Sequence, residues 1–317
     1  MEAAGLFTLY LAVFLAGMFT LKKGLAILSG HAMRSWIYAC INHPVKAFMA
    51  GILFTGILQS SSAVMVIVIG LVSAGVISFK QTIGIILGTN IGSTFTTQLI
   101  TLDIGSLMIP LFIIGFICFF GGILLKKELL IRMCAVFFGL GSLFLAMSGF
   151  GQLAEPLSKM QLVSELLLYT NEHALAGVFS GTVLTAIIHS SAATVGIIMS
   201  FLNADILSLS AGIAYVLGAN IGTCITGLMA AAGANQEAKL TAYSHVWVNI
   251  IGVAVFYPFI SYFSSLAEQL SSHPDVQLAH FSLIFNVISS LALLPFANAF
   301  GSFVEAFSAL FNRGGQS

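Results

Sequence analysis

Residues 51–65 read GILFTGILQSSSAVM, and residues 181–195 read GTVLTAIIHSSAATV. In each, a short apolar run meets a cluster of Gln or His and serines, then continues apolar. Neither apolar arm has the roughly 20 residues that a helix needs to cross a bilayer, so each pair of arms reads as a re-entrant hairpin with a polar tip. Such a tip is tolerated at membrane depth only where protein or a water-filled cavity surrounds it. A second pair of strings follows: GTNIGSTFT at 88–96 and GANIGTCIT at 218–226. Position 60 corresponds to 190 and position 90 to 220, so both pairs keep one constant offset. One short string can recur by chance; two strings at one offset mark an internal repeat.

The surroundings are those of a membrane protein. The 317 residues are 58% hydrophobic and only 7% charged, whereas a soluble domain carries about 25% charged residues. Formal net charge is zero, which gives no footprint for nucleic acid. Cys40, Cys118, Cys134 and Cys224 are scattered without ligand spacing, so neither a disulfide framework nor a transition-metal site is expected. The N-terminus lacks a basic n-region and a cleavage site, so the first apolar stretch is expected to stay as a span.

Apolar runs of spanning length lie near 4–28, 82–101, 106–125, 131–150, 208–230, 241–266 and 279–303. The fold class is therefore all-α and polytopic, with about seven full spans plus two hairpins. Residues 1–150 form a first half containing hairpin repeat 47–99. Residues 173–311 form a second half containing hairpin repeat 177–229, and 151–172 is the polar connection between them. Residues 31–45 look amphipathic and suit the interface. The short polar tail leaves no room for a second, soluble domain.

Charge tests this layout. With both hairpins returning to their own side, Lys22, Lys23, Arg34, Lys46, Lys80, Lys126, Lys127, Arg132, Lys239 and Arg313 all fall on one side, and only Lys159 on the other. That asymmetry obeys the positive-inside rule. Three crossings between the hairpins make the two copies face opposite sides of the membrane. Inverted repeats with interrupted helices near the midplane are the architecture of many secondary transporters.

The chemistry of the motifs points to an anion together with a hard cation. Gln59, Ser60, Ser61 and Ser62, and His189, Ser190, Ser191 and Thr194, offer hydroxyls, an amide or imidazole, and backbone N–H groups freed at a hairpin turn. Thr89, Asn90, Ser93 and Thr94, and Asn220 and Thr223, add the oxygen ligands that sodium prefers. No lysine or carboxylate lies within either motif, and the site is expected to lack lysine and arginine. His189 is either a hydrogen-bonding substitute for Gln or a pH-sensitive element. His245 with Asn249, and Ser282 with Asn286, sit one helical turn apart; they are helix–helix hydrogen bonds or part of the site's support. Packing accounts for single Ser/Gly clusters in membrane helices, but does not require Gln, Asn and three successive serines twice. A Ser–His hydrolase lacks an acidic orienter in the motif.

QSSSA (59–63), HSSAAT (189–194), G-x-N-I-G-[ST] at 88–93 and 218–223, and the opening FLAGMFTLKKGL (14–25) resemble the type II sodium/phosphate cotransporter family and its bacterial relatives over nearly the whole chain. The resemblance implies transport of inorganic phosphate coupled to sodium, with the hairpin tips meeting at a central site. It also implies a homodimer in the plasma membrane (a bacterial-type inner membrane), no enzymatic activity, and no cofactor beyond the coupling ion. The chain departs from the family pattern at His189, which replaces the second Gln, at Ala192, which removes a serine, and at Ser282, where relatives often have His. The soluble regulatory domain of some bacterial relatives is expected to be absent. The rival readings are a sodium-coupled transporter of another small anion, or an ion channel.

Overall fold

The helix that begins at Pro44 stops at the first polar cluster, and the helix that begins at Ala174 stops at the second. In the computed structural model, which describes residues 2–29, 43–102 and 104–314, the described residues form fourteen α-helices and no strand. The helices are α1 (Glu2–Ser29), α2 (Pro44–Leu58), α3 (Ser61–Ser73), α4 (Phe79–Leu99), α5 (Ile104–Leu124), α6 (Glu128–Ser158) and α7 (Gln161–Glu172). They continue as α8 (Ala174–Ile188), α9 (Ser191–Asn203), α10 (Leu209–Ala231), α11 (Gln236–Phe256), α12 (Ile260–Leu270), α13 (Pro274–Leu293) and α14 (Ala297–Gly314). The starts of α2, α3 and α4 recur, at the offset of the sequence repeat, as the starts of α8, α9 and α10. The amphipathic stretch expected at 31–45 lies mostly outside the described residues.

Among the described residues, six helical segments are long and apolar enough to cross a membrane: Glu2–Ala26, Ser106–Leu124, Glu128–Ser158, Leu209–Ala231, Gln236–Leu270 and Pro274–Leu310. The expected span at 82–101 is not among them. Its helix, α4, has 21 residues but carries a run of Thr, Asn, Ser and Gln. Most of α4 is buried against protein, so its surface does not have to suit lipid. Residues 151–172, expected as a polar connection, are largely helical: they include the end of α6 and the whole of α7. The two last spans bend at a 3-10 turn, Tyr257–Phe259 and Leu294–Phe296, each built around a proline that cannot complete the helical hydrogen-bond ladder.

Glycine sets the helix crossings. A Cβ placed on Gly92 would come within 2.5 Å of Thr55 Cβ and 2.7 Å of the Ile52 carbonyl oxygen, both on α2. One on Gly222 would come within 2.5 Å of the Thr182 carbonyl oxygen and 2.8 Å of Thr185 Cβ, both on α8. Gly88 and Gly218 approach the facing backbone more closely still. These are the small-residue interfaces by which membrane helices gain van der Waals contact where no hydrophobic force separates protein from lipid. Each short second arm then reaches across to the other half: α3 packs on α10 and α11, and α9 packs on α4 and α6, besides α13 of its own half. That exchange brings the two helix breaks together.

Candidate functional site

Both breaks are made the same way. Gln59 ends α2 in the left-handed conformation (φ 50°, ψ 35°), and His189 ends α8 likewise (φ 58°, ψ 27°). Neither is glycine, so each holds a conformation that costs about 1–2 kcal/mol. Serine follows in extended backbone and caps the next helix. Ser60 Oγ accepts from the Ala63 amide at 3.2 Å, and Ser190 Oγ accepts from the Ala193 amide at 3.3 Å. The first intrahelical bonds run from Val64 to the Ser60 carbonyl and from Thr194 to the Ser190 carbonyl. The amides of Ser61 and Ser62, and of Ser191 and Ala192, precede the first intrahelical bonds, at the positive ends of two helix dipoles.

The two breaks line one narrow cavity of about 30 Å³. Gln59, Ser60, Ser61 and Ser62 of the first break line it together with His189, Ser190, Ser191 and Ala192 of the second. Ser93 and Thr223, equivalent positions of the second motif, close it together with Thr96. Gln59 is fixed here: its Oε1 accepts from Thr96 Oγ1 at 2.8 Å, and its Nε2 donates to the Gly56 carbonyl. His189 has no matching tether to α10 and is exposed, whereas Gln59 is buried. A larger groove of about 500 Å³, bounded by Ile52, Leu53, Phe95 and Leu99, shares Gln59 but is otherwise apolar apart from Gln98. It suits lipid tails better than a hydrated ion.

The remaining sequence candidates stand behind the wall. Thr194 is fully buried, and its hydroxyl accepts from Thr185 Oγ1 at 2.8 Å, tying α9 to α8. Thr89 and Thr94 donate to the Ile86 and Ile91 carbonyls of their own helix. Asn90 Nδ2 donates to Asn249 Oδ1 at 2.9 Å, while Asn220 Nδ2 donates to the Val216 carbonyl. His245, Asn249, Ser282 and Asn286 are all buried. Asn249 Nδ2 donates to the His245 carbonyl at 3.1 Å, and Asn286 Nδ2 to the Ser282 carbonyl at 2.8 Å. The Asn90–Asn249 bond joins α4 to α11.

Three wall residues were not anticipated: Met18, Lys22 and Thr96. Thr96 ends the first GTNIGSTFT string, and its partnership with Gln59 is a matter of helix rotation. Met18 and Lys22 sit one turn apart on α1, outside the repeat. The expectation of a site without lysine is thereby corrected. α1 runs through its lysines to Ser29, and it packs on α6 so that Met18 and Lys22 line the cavity.

A family model described as Na+/Pi-cotransporter matches residues 13–152 and 155–292. The uncharacterized protein YqeW of Bacillus subtilis is 47% identical over 294 residues, covering 93% of this chain and 94% of that protein. A protein of Salmonella typhimurium named "Putative inorganic phosphate export protein YjbB" is 25% identical over 294 residues, which are 93% of this chain but 54% of YjbB. This chain thus spans about half the length of that relative. Sodium-dependent phosphate transport protein 2A of Ovis aries is 39% identical over 64 residues, 20% of this chain and 10% of the sheep protein. No solved structure matches.

Proposed function

The chain belongs to the Na+/Pi-cotransporter family and is a multi-pass plasma-membrane protein; from that premise we propose that it is a sodium-coupled transporter of inorganic phosphate working by alternating access. One observation carries the reading: two serine-capped helix starts, at equivalent positions of the sequence repeat, converge on one small polar cavity. Free amides at helix N-termini bind anions without any cofactor. In the proposed complex, the amides and hydroxyls of Ser60, Ser61, Ser62, Ser190 and Ser191 hold phosphate, with Gln59 and His189 at the edges. Ser93 and Thr223, with backbone carbonyls, hold sodium. Thr89, Asn90, Thr94, Thr194 and Asn220 shape that site from behind. His245, Asn249, Ser282 and Asn286 brace it, and no residue is assigned a catalytic step.

The finer architecture belongs to the same proposal. Arms of 15 and 13 residues reach only about 20 Å at 1.5 Å per residue, short of a hydrocarbon core about 30 Å thick. We read α2–α3 and α8–α9 as re-entrant hairpins. Three long helices, α4 to α6, separate them, so the hairpins enter from opposite sides as inverted repeats, in halves 1–150 and 173–311 joined through 151–172. A cavity with room for only one or two water-sized groups must widen to admit phosphate. Separation of the tips toward one side and then the other provides that opening and the alternation together. The homodimer implied by the resemblance completes the reading.

The test is uptake of radiolabelled phosphate into proteoliposomes, with and without a sodium gradient, and with sulfate and arsenate as competitors. Sodium-dependent flux is expected, and its absence under any gradient refutes the substrate. Ser60→Ala with Ser190→Ala should abolish flux while protein still inserts. Normal flux in that double variant refutes the site. Gradient-driven currents without sodium coupling would instead favour a channel.

A further inference from the structure

The cavity is surrounded by positive sources. Two helix N-termini point at it, each with the partial positive charge of its helix dipole, and Lys22 stands on its wall. Among the described residues no carboxylate lines it. The ion pairs among those residues are Lys80–Glu305, Arg132–Glu128 and Lys159–Glu155, and none involves Lys22. The other titratable group on the wall is His189.

The position of Lys22 is built, not incidental. Gly17 and Gly24 of α1 lie against α6, where added Cβ atoms would come within 2.8 Å of Ser142 Cβ and 3.0 Å of Val136 Cγ2. On the α6 side, a Cβ on Gly139 would come within 2.6 Å of the Leu21 amide nitrogen. This interlocking fixes both the depth and the rotation of α1. It turns Leu21 into the core and Met18 with Lys22 toward the cavity, and it leaves Lys23 exposed. Lys22 also lies inside the apolar segment Glu2–Ala26. An ammonium at such a place is costly unless a negative charge accompanies it. The wall supplies none, so an anion bound in the cavity would be the partner nearest to hand.

We propose that Lys22 is a resident counter-cation for the transported anion, supplying from the protein one positive charge that would otherwise arrive as a bound sodium ion. The proposal rests on the cavity being the anion site. It makes the anion's charge, and not only its hydrogen-bonding shape, a selected property. It also lowers the number of sodium ions needed to neutralise phosphate in the loaded site by one. Sodium dependence in a neutral variant should therefore become steeper.

The experiment compares wild type, Lys22→Met, Lys22→Arg and Lys23→Met. Thermal unfolding in detergent is followed in sodium phosphate, sodium sulfate and sodium chloride at matched sodium. Proteoliposome flux is then measured against phosphate and against sodium. Lys22→Met should raise the phosphate KM by about tenfold or more, the loss that about 1.4 kcal/mol of binding energy gives, with a smaller change in kcat. It should also raise the Hill coefficient for sodium. Lys22→Arg should retain near-wild-type affinity, and Lys23→Met should behave as wild type. An unchanged phosphate KM and sodium dependence in Lys22→Met overturns the proposal, as does equal anion stabilisation of that variant and wild type. If phosphate does not stabilise wild type but sulfate does, and Lys22→Met abolishes the effect, the phosphate reading fails while the role of Lys22 stands. If no anion stabilises wild type, both fail.

Discussion

Gly222 is the position where one methyl group should disturb the site most clearly from a distance. It lies on α10, beside the wall residue Thr223, where α10 crosses α8. A Cβ there would come within 2.5 Å of the Thr182 carbonyl oxygen, 2.8 Å of Thr185 Cβ and 3.2 Å of the Ala186 nitrogen. Ordinary contact lies at about 3.5 Å, so the helices must separate by about an ångström. The first obstacle is backbone, and no side-chain rotation relieves it. Overpacking of this kind costs about 1–3 kcal/mol. Displacing Thr185 also strains its bond to Thr194, a further loss of about 0.5–1.5 kcal/mol. Against this, replacing a helical glycine with alanine gains about 0.5–1 kcal/mol. The net expectation for Gly222→Ala is a loss of about 1–3 kcal/mol, with α8 carrying His189 and Ser190 away from Ser60. Thermal unfolding in detergent and phosphate flux measure the two effects. Gly92→Ala, facing Thr55 and Ile52 on the matching crossing, should behave alike. Gly70→Ala, with nothing within 4 Å of the new atom, should not lose stability. A Gly222→Ala protein with wild-type unfolding midpoint and wild-type flux would refute the close crossing and its link to the tip.

Asn235 caps α11 by accepting from the Ala238 amide at 3.0 Å, and its Nδ2 donates to the Ser73 carbonyl at the end of α3. Asn235→Ala should cost about 1–2 kcal/mol, read as a lower unfolding midpoint with phosphate KM unchanged; no change in midpoint contradicts the cap. His189→Gln restores to the second break the residue of the first. If His189 acts by hydrogen bonding, flux and its pH profile should stay near wild type, whereas a flattened pH profile would assign it a titrating role instead.

The fold was legible where the sequence repeats itself. Short apolar arms around QSSSA and HSSAAT became the paired helices, and the constant offset between the motifs reappears in the helix starts. Polar composition concealed the status of α4: Thr89, Asn90, Ser93, Thr94, Thr96 and Thr97 crowd one buried helix, so it lacks the apolar signature of the six spans. Within that helix, successive residues turn by about 100°. Ser93 and Thr96 therefore reach the cavity while Thr94 does not, although Ser93 and Thr94 both donate to carbonyls of their own helix. A motif names residue types; which of them face the site depends on the crossing with α2. Lys22 was hidden for a different reason. It adjoins Lys23 near the end of an apolar run, where a charge ordinarily marks the membrane boundary. Only the contact of Gly17, Gly24 and Gly139 between α1 and α6 decides that one lysine looks inward and its neighbour outward.

The glycines and the hydroxyls of the G-x-N-I-G-[ST] strings occupy different places: the glycines lie in helix crossings, and one hydroxyl of each string lies on the cavity wall. Gly88 and Gly92 press α4 against α2, and Gly218 and Gly222 press α10 against α8. The residue after each second glycine, Ser93 or Thr223, then reaches the cavity. Packing contacts and cavity wall are thus one residue apart, so a change in the crossing is felt at the wall. The two halves differ in what holds the tip. Thr96 ties Gln59 to α4, whereas Thr226, the equivalent of Thr96, donates to the carbonyl of Thr223 and leaves His189 untethered to α10. Thr185 and Thr194 instead bind the arms of the second break to each other. The first break is anchored to its long helix and the second to itself.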